Sequence, residues 1–93
     1  MTEENNSLVN GNFMKEFPNG ATVEAFTEAP SAYGENSRYG ILTVNGKRYS
    51  VSPTVARVLS QWIRTGKITF PAKLKVISVA GSRYIYHIPV ILP

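Results

Sequence analysis

The chain has 93 residues, of which 43% are hydrophobic and 17% charged, and its net charge is +4. A chain of this length and composition is expected to fold as one small domain with one core, which excludes a fibrous or wholly disordered protein. The absence of cysteine excludes a disulfide framework and thiolate chemistry.

Nothing in the sequence predicts a membrane segment. The longest near-apolar stretch, at the C-terminal end, is much shorter than the roughly 20 residues that a spanning helix needs. The N-terminal residues are acidic and rich in amides, so we expect no signal peptide. We therefore expect a soluble, intracellular protein, either cytoplasmic or associated with a nucleoid, with no membrane partner.

Charge is divided unevenly along the chain. Residues 1–35 contain all six acids and a single base, a net charge of −5, whereas residues 36–93 contain nine bases and no acid, a net charge of +9. Soluble protein surfaces usually mix the two signs. A positive field of this kind attracts polyanions, so the division favours a polyanionic partner over a role in solubility alone.

Residues 1–20 are polar and predict a flexible acidic tail that precedes a single α+β domain over residues 21–93. The apolar residues of the tail that could dock on the domain are Phe13, Met14 and Phe17. Alternation over residues 21–26 predicts a first strand. The proline, glycine and asparagine within residues 27–37 predict a loop.

Residues 38–51 predict a hairpin around Asn45–Gly46, the preferred pair for a type I′ turn. The turn pairs residues on a face that we expect to point inward: Val44 with Lys47, Leu42 with Tyr49, and Gly40 with Val51. The opposite face, which we expect to be at least partly hydrated, carries Tyr39, Ile41, Thr43, Arg48 and Ser50.

A helix is predicted directly after this hairpin, since Ser52 suits the N-cap, Pro53 the first helical position and Gly66 the left-handed residue beyond the end. Its apolar stripe is Val55, Val58, Leu59, Trp62 and Ile63. Its polar side carries Arg57, Ser60, Gln61 and Arg64. Residues 67–70 predict the opening of another strand, which Pro71 interrupts with a bulge or a bend.

The hairpin over residues 73–91 closes the chain, with its turn near Gly81. A two-residue turn places the following residues on one face: Lys73, Lys75, Ile77, Tyr84, Tyr86 and Ile88. The other face then carries Leu74, Val76, Arg83, Ile85 and His87. A three-residue loop would instead put these last three beside the lysines, because a shift of one residue turns a whole strand over. Pro89 predicts an edge position, since proline cannot donate to a ladder.

The predicted element order is β-β-β-α-β-β, with antiparallel hairpins packed on one amphipathic helix. This order matches the OB-fold, a small and partly open barrel that commonly holds oligonucleotides on one sheet face. Several other α+β folds can follow the same order, so the match concerns the order of the elements alone.

Catalysis is not expected. His87 is the only histidine, the chain contains no cysteine or aspartate, and no acid after residue 35 could orient His87 as a general base. One imidazole and scattered glutamates do not form a metal site. No glycine-containing stretch of the sequence has the residue spacing of a known phosphate-binding loop. We therefore expect no enzyme activity, no metal and no cofactor.

Binding of single-stranded DNA or RNA with low sequence specificity is the function that the sequence favours. Such binding needs cations for the phosphates and aromatic rings on which bases stack. Both predicted hairpins combine the two. The candidate contacts are Arg38, Tyr39, Lys47, Arg48, Lys73, Lys75, Arg83, Tyr84 and Tyr86.

Two other functions stay open. The chain could be a protein-interaction or assembly module, for example a homodimer formed through an edge strand. The apolar residues available for it are Ile41, Ile88, Val90 and Ile91. The third possibility is a duplex-DNA-binding regulator that uses Arg57 and Arg64 of the helix, although no helix-turn-helix pattern supports it.

Overall fold

Two β-sheets share one bent stretch of chain. The computed structural model describes residues 9–31 and 34–93. The strands are β1 (Gly11–Asn12), β2 (Ala21–Val23), β3 (Ala25–Ser31), β4 (Gly34–Val44), β5 (Lys47–Val51), β6 (Ala72–Ala80) and β7 (Ile85–Ile91), and the helices are α1 (Phe13–Glu16) and α2 (Pro53–Arg64). One sheet has the order β1-β5-β4-β3 and the other β2-β6-β7.

The bend lies at Glu24, the single residue between β2 and β3. Its N–H donates to the Thr43 carbonyl at 2.7 Å. Before the bend, β2 pairs antiparallel with β6, and after it β3 pairs antiparallel with β4. Counted as one strand, this stretch makes the order from residue 21 onward β-β-β-α-β-β, as predicted.

The chain is a small α+β protein whose sheets are not closed. Within the described ranges, no ladder joins β5 to β7, and β1 pairs in parallel with β5 at the sheet edge instead. Helix α2 contacts β4 and β7, and α1 contacts β5 and β6. The element order is the one predicted, and the two sheets share the bent stretch without closing into a barrel.

The first hairpin has the predicted turn and the predicted register. Asn45 and Gly46 have φ values of 52° and 80°, as a type I′ turn requires, and all three predicted pairs are present. The expectation of a hydrated outer face is wrong at Ile41, of which only 2% is exposed. Its cross-strand neighbours on that face are Thr27 of β3 and Ser50 of β5.

The predicted loop over residues 27–37 is wrong for the described part of that range. β3 and β4 pair from Ala25–Thr43 to Pro30–Arg38, and the register shifts between Pro30 and Ser31. β3 is the edge strand of its sheet, where a proline removes no ladder hydrogen bond. Residues 32–33 lie outside the described residues.

The folded body begins before residue 21. Asn12 caps α1 by accepting a hydrogen bond from the Lys15 N–H at 3.2 Å. Phe13 is completely buried, and the Phe17 ring lies edge-on to Tyr49 with 4.9 Å between the ring centroids. Docking of these apolar residues makes the segment from Gly11 onward part of the body, while residues 1–8 of the predicted tail lie outside the described residues.

Helix α2 begins and ends where the sequence predicts. The Ser52 hydroxyl accepts from the Val55 N–H at 3.4 Å, and Gly66 has a φ of 77°. The stripe is buried at Val55 and Leu59 but not at Ile63, which is 41% exposed because it lies in the last turn of the helix. The Lys67 ammonium lies 5.1 Å from the centroid of the half-buried Trp62 ring.

Residues 67–70 do not form the predicted strand. The N–H groups of Lys67 and Ile68 donate to the Trp62 carbonyl at 2.8 and 3.4 Å, so the chain folds back beneath the helix end and buries Ile68. The Phe70–Pro71 peptide bond is cis, and β6 begins at Ala72.

One core lies between the two sheets and α2. Its buried members are Phe13, Val23, Leu42, Val44, Tyr49, Val51, Val55, Leu59, Ile68, Leu74 and Val76. Each sheet, α2 and the N-terminal segment contribute to it. Neither helix in the described part of the chain has the length and apolar character needed to cross a bilayer.

Candidate nucleic-acid interface

The register of the closing hairpin decides which side chains share a face. Its last pair is Ala80 with Ile85, so the loop is the four residues Gly81–Tyr84, and the Gly81 N–H donates to the Tyr84 carbonyl at 2.7 Å. The predicted two-residue turn is therefore wrong. A four-residue loop nevertheless keeps the same alternation as a two-residue turn, and it excludes the three-residue alternative.

Within the strands, the predicted face is confirmed. Lys75 pairs with Val90, Ile77 with Ile88, and Val79 with Tyr86, so these side chains lie on the same side of the sheet. The opposite side carries Leu74 and Val76, which are buried in the core. The face with the lysines and Tyr86 therefore points away from the core. Lys73 is exposed there, and Lys75 is half-buried.

The distal part of this hairpin is exposed to solvent, and its contacts with the rest of the protein include the Ser78 hydroxyl, which donates to Met14 Sδ at 3.5 Å. We call residues 78–86 the hairpin tip; every one of them is exposed. β6 is nine residues long but its partner β2 has only three, paired with residues 72–74 of β6. The tip therefore has no third strand beside it and is exposed on both faces, including Ile85 at 70%.

Two tyrosines lie at the tip. Tyr84 is 65% exposed and Tyr86 47%, and their rings are tilted by 63° with 6.3 Å between the centroids. Gly81 lies against the second ring: a Cβ on Gly81 would be 2.6 Å from Cε2 of Tyr86. Because Gly81 has no side chain, the Tyr86 ring can pack against its backbone. Each of the two tyrosine rings still has exposed surface that a ligand can contact.

Three cations lie on the same hairpin as the two rings. Arg83 is exposed in the loop directly before Tyr84, and Lys75 and Lys73 lie further down the outer face of β6. No carboxylate side chain occurs anywhere after residue 35 of the sequence. The hairpin thus combines exposed rings with cations that form no ion pair within the described part of the chain, which is the combination that a single strand of nucleic acid requires.

The candidates of the first hairpin do not form an equivalent site. Tyr39 and Arg48 share the outer face of their sheet and are both half-buried. Four residues, about 13 Å, separate Tyr39 from the partner of Arg48, as they separate Lys75 from the partner of Tyr86, so the two hairpins differ in burial and not in this spacing. The Arg48 backbone is also held by Asn10, whose side-chain oxygen accepts from it at 2.9 Å and whose N–H donates to its carbonyl at 2.6 Å.

The remaining two candidates lie on the other side of that sheet. Side chains alternate along a strand, so Arg38 faces away from Tyr39, and its guanidinium is 3.8 Å from the Glu28 carboxylate. Lys47 is exposed beside the turn, opposite the buried Val44. The structure therefore places Arg83, Tyr84 and Tyr86 together at the hairpin tip, with Lys75 and Lys73 about 13 and 20 Å further along the same face of β6, and it places none of the four residues of the first hairpin beside them.

Sequence reasoning missed the exposed apolar residues of the tip, Val79 and Ile85. Their alternation with polar residues is typical of any half-buried strand, so the sequence carries no signal that this part of the hairpin is left uncovered. His87 lies on β7 on the opposite face from Tyr86 and is half-buried. Among the described residues, no three His, Asp or Glu side chains are close enough to hold a metal ion.

Comparison of the chain with models of protein families, with curated proteins and with solved structures finds no match in any of the three.

Proposed function

We propose that the chain binds single-stranded nucleic acid, with low sequence specificity, through the hairpin tip and the adjoining outer face of β6. The observation that supports this proposal is the pair of exposed rings, Tyr84 and Tyr86, on a hairpin that carries three cations and no carboxylate. Bases stack on exposed rings, and the stacking is sequence-tolerant because every base has a π-face.

The residues of the hairpin divide into two roles. Tyr84 and Tyr86 each stack one base. Arg83, Lys75 and Lys73 contact phosphates along the strand, since they lie on the loop and outer face that also carry the rings. Tyr39, Arg48, Arg38 and Lys47 have no part in this binding mode, because the first hairpin does not place them beside the two rings. That the chain lacks enzyme activity stays a prediction.

The proposal has a quantitative consequence for salt dependence. Three cations that neutralise three phosphates of a single strand give a log–log slope of about −2, at roughly −0.7 per contact. An increase from 50 to 200 mM salt then lowers affinity about 20-fold. Affinity that is insensitive to salt would mean that the cations make no phosphate contacts.

The test is a fluorescence anisotropy titration of a labelled oligothymidylate at these two salt concentrations. Replacing both rings, as Tyr84→Ala with Tyr86→Ala, removes two stacked bases and lowers affinity by about 30-fold or more, at about 1 kcal/mol or more per base. The variant with Phe at both positions keeps the rings and most of the affinity.

Ile85→Ala is the matched control, because it alters an exposed side chain of the same tip on the other face. It leaves affinity unchanged. Thermal melting of each variant checks that the fold is retained. Absence of binding at 50 mM salt, or equal affinity of the double alanine variant and the wild type, overturns the proposal.

A second candidate function is assembly through the same tip, which we propose as the alternative because apolar side chains are exposed there beside the rings. They are Val79 and Ile85 of the tip and the neighbouring Ile88 of β7. Ile41, which the sequence also offered for an edge-strand dimer, is buried and takes no part. Light scattering over a range of protein concentrations separates the two functions, since only assembly raises the measured mass as concentration increases.

A further inference from the structure

We propose that Arg38, Arg57, Ser60 and Arg64 form a second anion site, which takes a phosphate group in place of the Glu28 carboxylate that now occupies it. The site lies between β3, β4 and α2 and shares no residue with the hairpin tip. It therefore goes beyond the binding proposed above and stands or falls independently of it.

The Glu28 carboxylate bridges the sheet and the helix. One of its oxygens, Oε2, accepts from the Ser60 hydroxyl at 2.7 Å. The other, Oε1, is 3.8 Å from Nη1 of Arg38. One third of the Glu28 side chain and over half of the Arg38 side chain are exposed to solvent, so a ligand can reach both groups.

Backbone geometry explains why these groups meet. Glu28 pairs with Gly40 across β3 and β4, and a Cβ on Gly40 would be 3.0 Å from that of Ala56. The missing side chain of Gly40 lets the helix approach the sheet at Ala56. One helical turn later, Ser60 reaches Glu28. Arg38 precedes Gly40 by two residues and so faces the same side.

Two further arginines flank Ser60 on the helix. Arg57 precedes it by three residues and Arg64 follows it by four, so their Cβ atoms lie about 5–6 Å from that of Ser60. Both are exposed, and within the described part of the chain neither forms an ion pair. The proposed site thus has three arginines and, among the described residues, one carboxylate, so its cations outnumber the single negative charge of Glu28.

A phosphate group suits this site better than a carboxylate does. Guanidinium groups bind phosphate through paired hydrogen bonds, and a phosphate offers more acceptor oxygens than the two of Glu28. It can accept from Ser60 and Arg38 and still bind Arg57 or Arg64. Exposed ion pairs contribute little to stability, so displacing Glu28 into solvent costs little.

The phosphate can come from a nucleic-acid backbone or from a free phosphate compound, and the experiment uses one probe for each. Two-dimensional ¹H–¹⁵N NMR of the full chain is followed during titration with inorganic tripolyphosphate and, separately, with oligothymidylate. Tripolyphosphate is expected to shift the amide signals of Glu28, Arg57 and Ser60. Shifts with oligothymidylate alone assign the site to the nucleic-acid backbone. Signals of Gly81–Tyr86 report the hairpin separately, so the two proposals can fail independently.

Two variants complete the test. Glu28→Gln removes the competing charge and raises probe affinity at least threefold above that of Glu16→Gln, a matched loss of one exposed carboxylate elsewhere. The pair Arg57→Ala and Arg64→Ala lowers affinity at least fivefold. No shift at these amides with either probe, equal affinities of the two glutamine variants, or wild-type affinity of the arginine variant overturns the site.

Discussion

The two hairpins of this protein have similar sequences and different surroundings. Each sets basic residues beside aromatic ones, yet the β4–β5 hairpin lies between β3 and β1, whereas the distal half of the β6–β7 hairpin has no neighbouring strand. The first hairpin buries Tyr49 and half-buries Tyr39, while the second exposes Tyr84 and Tyr86.

The difference lies in tertiary contacts rather than in composition. The same pair of residue types is structural where flanking strands and a helix cover it, and available to a ligand where they do not. A basic and aromatic strand is therefore a binding surface only if its neighbours leave it exposed. The following substitutions test whether the two hairpins differ in this way.

The largest effect is expected from truncating a side chain of the first hairpin that is buried in the core. Leu42→Ala removes a fully buried side chain and lowers the free energy of unfolding by about 3 kcal/mol, since the cavity cannot fully collapse. Ile85→Ala, on the exposed tip, changes it by less than about 0.5 kcal/mol. Urea denaturation of both variants measures the difference, and equal losses would mean that the tip packs against something.

A smaller effect is expected from adding one methyl group to a glycine in each region. In Gly40→Ala the Cβ would lie 2.7–3.0 Å from Phe26, Val51 and Ala56, so unfolding free energy falls by about 2 kcal/mol through overpacking.

Gly81→Ala is the counterpart in the tip. Its nearest neighbour is the exposed Tyr86 ring, which can swing into solvent, so we expect a loss below about 1 kcal/mol. Thermal melting monitored by circular dichroism compares the two variants. A larger loss at Gly81 than at Gly40 would show that the Tyr86 ring is held as firmly as the core.

The smallest effect concerns the turn of the first hairpin. The Glu24 carboxylate accepts hydrogen bonds from the N–H groups of Asn45 and Gly46, at 3.2 and 3.4 Å, and no such side chain holds the loop Gly81–Tyr84 among the hydrogen bonds of the described residues. Glu24→Ala removes both acceptors and lowers the free energy of unfolding by about 1 kcal/mol.

Glu24→Gln is the control, because its amide oxygen still accepts one of these hydrogen bonds. Its free energy of unfolding therefore falls by about half as much as that of Glu24→Ala. Urea denaturation measures both variants. Equal stability of Glu24→Ala and the wild type would mean that Asn45–Gly46 needs no support from the bend.

The parts of the fold that the sequence predicts correctly are those set by local chemistry. Asn45–Gly46 fixes the first hairpin and its register because both residues tolerate positive φ. Ser52 and Gly66 mark the ends of α2, through side-chain capping and a left-handed conformation. Alternation correctly groups Lys75 with Tyr86 on one face, even though the loop is longer than expected.

The parts predicted wrongly depend on partners far along the chain. Pro30 normally marks a loop, but β4 gives it an edge position where its missing N–H is harmless. Ile41 lies on the face that alternation predicts to be hydrated and is buried by its sheet. Ile85 is exposed although it follows the same alternation as the buried strand residues, because tertiary packing, which the local pattern does not contain, leaves the tip uncovered.

The strand pairs on the two sides of the bend at Glu24 differ in the chain entropy that is lost when they form. After the bend, β3, β4 and β5 follow one another directly, so their ladders close short loops. Before it, β2 pairs Ala21 with Leu74, across most of the chain. Because closing a longer loop restricts more chain, we expect the meander β3–β4–β5 to assemble first. We then expect the β6–β7 hairpin, which carries Tyr84 and Tyr86, to pack against the rest of the protein last.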